Sequence, residues 1–62
     1  MRKKMLENPY TRRLIVYYVR GMAGTLEISR EIVNYFDRGW LNSQEAEYML
    51  EHLPQIKKWK LN

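Results

Sequence analysis

From Leu26 to Arg38 the polar residues Glu27, Arg30, Glu31, Asn34, Asp37 and Arg38 recur at steps of three and four, and so do Ile28, Ile32, Tyr35 and Phe36, with Val33 beside them. That is the 3.6-residue period of a helix with one wet and one dry face, and it predicts a helix over 26–38. Thr25 is placed to cap its start with a hydroxyl, and Gly39 to end it in a left-handed conformation. A second helix follows over 43–53, with Asn42 as its cap and Glu45 three residues on as in a capping box. Leu41 is placed to staple against Ala46. Its dry stripe is Ala46, Met49, Leu50 and Leu53, and Pro54 stops it by removing an N–H and biasing Leu53 away from helix. The bend 37–42 is short, so the two helices run antiparallel as a hairpin.

Upstream, Asn8-Pro9 pairs a favoured cap with a proline suited to the first helical position, and predicts a helix over about 9–20. Gly21 and Gly24 bracket its exit. Within this helix Leu14-Ile15-Val16-Tyr17-Tyr18-Val19 has the β-branched and aromatic composition of a strand. As a helix it is apolar nearly all round, which suits the central element of a small bundle or dimer. As a strand at 13–19 it would need a copy of itself from a second chain. The start and stop signals favour helix. In the tail, Pro54, Ile56 and Trp59 allow one further short helical turn. The expected architecture is therefore all-α: three helices (about 9–20, 26–38 and 43–53) built on an antiparallel hairpin. A basic flexible arm, 1–8, precedes a single small helical domain, 9–62.

The chain has 62 residues and no cysteine, so neither a disulfide nor a thiolate zinc site supports its small core. Chains of this size often gain stability by self-association, which makes a homodimer the expectation. A hydrophobic content of 45% is too high for a disordered tail. The longest apolar run, Leu14 to Val19, is far short of a membrane span, so no membrane role is expected and a cytoplasmic (or intracellular viral) location is.

The net charge of +4 hides a pattern. Residues 1–20 set Arg2, Lys3, Lys4, Arg12, Arg13 and Arg20 against Glu7 alone. Residues 21–53 set Arg30 and Arg38 against Glu27, Glu31, Asp37, Glu45, Glu47 and Glu51, and residues 54–62 carry Lys57, Lys58 and Lys60 with no acid. The basic ends either neutralise the acidic hairpin within the fold or form a site for phosphate or an acidic partner.

Little in the chain suggests catalysis. His52 is the one histidine, with no nucleophile or orienting group marked beside it. Glu47 and Glu51 share a helix face, but without a histidine ligand motif or a second carboxylate pair they make no metal site. Gly21 and Gly24 lack the lysine and serine of a phosphate loop. The expectation is a protein that is not an enzyme and takes no cofactor or metal. A helix-turn-helix is also unsupported: with Gly39 or Gly24 as the turn glycine, Glu45 or Arg30 falls where a buried apolar residue belongs.

Ile32 to Leu53, with Phe36-Asp37-Arg38-Gly39-Trp40-Leu41-Asn42-Ser43-Gln44-Glu45 across the bend, resembles the helical hairpin of the short C-terminal (SHOCT-type) domains, and that likeness implies an interaction module. With a strand at 13–19, the order of elements is similar to that of ribbon-helix-helix repressors. That resemblance implies a dimer whose two-stranded ribbon reads the major groove, with Asn42-Ser43 at a helix N-terminus holding a phosphate.

Two functions follow. The first is a small regulatory or inhibitory protein that docks on another protein through its helical surface and its aromatics, Tyr10, Tyr17, Tyr18, Trp40, Tyr48 and Trp59. The alternative is a small basic DNA- or RNA-binding protein of the transcriptional-regulator type. The candidate contact residues for either target are Arg12, Arg13, Arg20, Lys57, Lys58, Trp59 and Lys60.

Overall fold

The computed structural model describes residues 2–61, with side chains from residue 4 onward; Met1, Asn62 and the basic side chains of Arg2 and Lys3 lie outside the described set. Five helices follow one another: α1 (Arg2–Glu7), α2 (Pro9–Val19), α3 (Thr25–Asp37), α4 (Ser43–Glu51) and α5 (Leu53–Lys57). There is no strand among the described residues. The strand alternative at 13–19, and with it the ribbon-helix-helix dimer, is therefore corrected. Leu14–Val19 lies inside α2, where Leu14, Ile15 and Tyr18 are buried in the common core and Val19 packs against it. The β-branched composition yields because α2 is the central element. It packs on α1, α3 and α5, which bury Leu14, Ile15 and Tyr18 and leave Arg12, Arg13 and Tyr17 exposed.

The ends of the helices carry the chemistry that their sequences suggest. Asn8 accepts from the backbone N–H of Tyr10 at 2.9 Å, with Pro9 as the first helical residue. Asn42 and Glu45 exchange both bonds of a capping box, at 2.8 and 2.9 Å. Gly21 and Gly39 each hold positive φ, 76° and 77°, just past α2 and α3. At each, the glycine N–H and the next N–H fold back to two carbonyls of the last turn: Gly21 to Tyr18 and Met22 to Tyr17, Gly39 to Phe36 and Trp40 to Tyr35.

Three local expectations change. The cap of α3 is Gly24, not Thr25. Glu27 reaches back to accept from the Gly24 N–H, while the Thr25 hydroxyl pairs with the Tyr18 hydroxyl at 3.0 Å and joins α2 to α3. Next, the second hairpin helix ends at Glu51 rather than at residue 53. His52 breaks it with φ −121°, and Leu53-Pro54 opens α5, the short turn expected in the tail. Finally, residues 2–7 of the stretch expected as a basic arm form a helix. Met5 of α1 is buried in the core, and its carbonyl accepts from the Thr11 hydroxyl.

The core joins Met5, Leu14, Ile15, Tyr18, Ile28, Ile32, Tyr35, Leu41, Ala46, Met49, Leu53 and Ile56, so every helix contributes. Leu41 and Ala46 are both in it, as the staple requires. Phe36, Val33 and Leu50, expected on the dry faces of the hairpin, stay 43%, 48% and 41% exposed. The packed layer of α2 and α5 lies on the other side of α3 and α4, and among the described residues none closes over these three.

Candidate functional site

The hairpin bend is tied to the start of α2 by one residue. Asn8 caps α2 with its side-chain oxygen and donates its amide hydrogens to the Glu45 carboxylate, at 3.1 and 3.2 Å, and to the Trp40 carbonyl at 3.3 Å. This brings Tyr10, in the first turn of α2, onto the bend. Its ring stacks on Trp40 with centroids 4.8 Å apart and planes 12° apart, and meets the edge of Tyr35 at 6.0 Å. Tyr35 in turn meets Trp40 nearly at right angles, at 5.0 Å. The three rings form a closed triangle, and each such pair contributes about 0.5–1.5 kcal/mol beyond its buried area.

Two guanidinium groups edge this cluster. Arg38, the C-cap of α3, lies 5.1 Å from the centre of Trp40. Arg13, one turn along α2 from Tyr10, lies 5.8 Å from the centre of Tyr17. Hydrogen bonding to the Tyr17 side chain, and then the charge of the nearby tyrosines, raises the Arg13 pKa further above its ordinary value. Tyr17, Arg13, Tyr10, Trp40 and Arg38 thus form a continuous band, with Tyr10 and Tyr17 more than a third exposed and Trp40 half-buried. Beyond Arg13, the groove between α2 and α3 is edged by Glu27 and Glu31.

The cations expected to act together are divided. Arg12 and Arg20, two turns apart on one side of α2, line a cleft with Lys60 of the tail, around Leu6, Val16 and Leu61. Arg13 faces away from that cleft, among the tyrosines. Lys57 is directed to the end of α2, where its ammonium donates to the Tyr18 carbonyl and sits 4.8 Å from the centre of the Tyr18 ring. Lys58 is exposed as the C-cap of α5, and Trp59 packs half-buried against the core. Tyr10 and Trp40 are among the aromatics that the sequence marks as candidate contacts, and Arg38 is not. Its role depends on the bend returning Trp40 beneath it, and the adjacent sequence Arg38-Gly39-Trp40 was the available signal.

The chemical inventory is otherwise sparse. His52 closes the end of α4, with Nδ1 2.8 Å from the Tyr48 carbonyl and its ring stacked on Tyr48 at 4.2 Å. No group of three His, Cys, Asp or Glu side chains is gathered as metal ligands require among the described residues. No helix among them is long and apolar enough to cross a membrane.

Fold and surface together define the class: a small all-α protein, built on an antiparallel helical hairpin, that displays a preformed aromatic and arginine band. Compared with known proteins, the chain matches no family model, no curated protein and no solved structure.

Proposed function

We propose that the protein is a non-catalytic regulator that docks on another protein through the band Tyr17, Arg13, Tyr10, Trp40 and Arg38. One observation carries this reading: the exposed Tyr10 ring is already stacked on Trp40, with Arg38 against the same indole. Tyr, Trp and Arg are the residues on which binding energy concentrates in protein interfaces. Rings fixed before binding lose little side-chain freedom when a partner arrives. With Arg13 and Arg38 on either side of the Tyr10–Trp40 stack, the band suits a partner that offers carboxylates beside an apolar pocket.

The test is capture from host-cell extract on the immobilised full chain, alongside the double variant Arg13→Ala, Arg38→Ala. Both side chains are exposed, so the variant keeps the wild-type helical circular dichroism. The reading expects a species held by the wild type and lost from the variant. Equal capture by both removes the band as the docking surface.

A second reading rests on a different observation, the convergence of Arg12, Arg20 and Lys60 on one cleft. In this reading the cleft holds phosphates of a nucleic acid. Duplex DNA titrated at low and high salt tests it: affinity falls steeply with salt if phosphates are held. No binding even at low salt ends this reading and leaves the first standing.

A further inference from the structure

Helix α3 carries a second apolar stripe. Leu26, Ser29, Val33 and Phe36 follow at steps of three, four and three, the seam spacing of a helix that packs on another helix. Leu26 is 67% exposed, and Val33 and Phe36 nearly half. Val33 and Phe36, with Ile32 beneath them, form an apolar groove with Leu50, Ala46 and Ser43 of α4, and Glu47 stands in its wall. Of the large hydrophobic residues exposed among those described, Tyr10 and Tyr17 belong to the aromatic band. The other five, Met22, Leu26, Val33, Phe36 and Leu50, lie on this hairpin or in the link that leads into it.

The charges at the rim are unlike. Arg30 stands on the outer edge of α3, beside Val33 and Asn34. The outer edge of α4 carries Glu47 and, one turn on, Glu51, both exposed. We propose that the groove is occupied by a second copy of the chain, with α3 of each copy lying antiparallel on α4 of the other.

Charge selects this arrangement over its rival. Two hairpin faces can meet about a two-fold axis in two ways. An axis across the helices stacks α3 on α3 and α4 on α4, which turns the acidic edge of α4, Glu47 and Glu51, onto its own copy. An axis along the helices leaves heights unchanged and exchanges α3 for α4. Counted from the bend, Arg30 lies seven residues before the end of α3 (37 − 30) and Glu51 eight past the start of α4 (51 − 43), so the two stand within a turn of one height. Val33 and Phe36 of one copy then face α4 of the other, and Arg30 comes within a turn of Glu51. Like charges face each other in the first case and unlike charges in the second.

The face also limits the affinity. A stable interface buries about 800 Å² per partner, under a fifth of the 4497 Å² surface. A helix of 13 residues is about 20 Å long, so a face two helices wide offers roughly half that area. The dimer is accordingly weak and concentration-dependent. It shares no residue with the Tyr10–Trp40 band, so it would display that band twice.

Sedimentation equilibrium of the full chain, from micromolar to millimolar concentration, tests the proposal. The wild type shifts from monomer to dimer over that range. Leu50→Glu weakens the dimer at least tenfold while keeping its helical circular dichroism, and Val33→Ser does the same should Leu50→Glu fail to fold. Arg30→Glu and Glu51→Arg each weaken it several-fold, and the two together restore it. A wild-type monomer throughout overturns the proposal and leaves the groove to a partner other than this chain. A dimer indifferent to Leu50→Glu and Val33→Ser overturns the face. A double charge reversal weaker than either single one overturns the stacking of α3 on α4.

Discussion

Helix α3 has an inner and an outer apolar stripe of similar composition, and they have opposite fates. Ile28, Ile32 and Tyr35 are buried beneath α2 and against α4, while Leu26, Val33 and Phe36 remain open. The difference lies in the neighbours. Among the described residues, α2 and α5 pack on one side of the hairpin and no helix packs on the other. The apolar arc of α3 is broader than a single packed layer can cover. Such a surplus on a helix that is already anchored points to contact with another molecule.

The largest effect expected from this contrast is at Ile32, which is fully buried. Ile32→Ala removes core volume and should cost about 2–5 kcal/mol, read as a lower urea midpoint. That is most of the stability a domain of this size holds, so the variant should be largely unfolded at 37 °C (about 310 K). Gly39→Ala comes next. A Cβ there meets nothing within 4 Å, but φ is 77°, so the cost is the left-handed backbone alone, about 1–2 kcal/mol. A smaller cost would show that the bend can close another way, and that α4 is less firmly held against the inner stripe than described.

Asn8→Ala should cost about 1 kcal/mol for the cap. It should also loosen the Tyr10–Trp40 stack by releasing Glu45 and the Trp40 carbonyl, seen as a change in tryptophan fluorescence. The smallest effect belongs to the outer stripe: Val33→Ala should alter the stability of the dilute monomer by no more than about 0.5 kcal/mol. A loss at Val33 equal to that at Ile32 would erase the distinction between the two stripes.

Much of this fold could be read from the sequence because its signals are local. The cap at Asn8, the box at Asn42 and Glu45, and the glycine ending α3 each depend on residues within one turn of one another. What resisted reading depends on distance along the chain. The period of α3 marks Phe36 and Val33 as apolar but does not say which layer covers them. In α2 the start and stop signals favour helix against a strand-like composition, and the neighbours that bury Leu14, Ile15 and Tyr18 explain why the helix wins. The seven candidate contact residues lie near one another in the basic ends of the sequence, and the fold divides them: Arg12, Arg20 and Lys60 meet in one cleft, Arg13 joins the tyrosines, and Lys57 goes to the end of α2. The aromatic band was half legible, since its rings were noted but not the Asn8 contact that assembles them.

The most direct measurement is methyl NMR with a dissolved paramagnetic agent, recorded on dilute and concentrated samples. The account predicts that the Ile28 and Ile32 methyls stay sharp in both, while those of Val33 and Leu50 broaden in the dilute sample and recover protection in the concentrated one. Broadening of Ile28 and Ile32 equal to that of Val33 and Leu50 would contradict the packing of the hairpin. Persistent broadening of Val33 and Leu50 at the highest concentration would contradict the second copy in the groove.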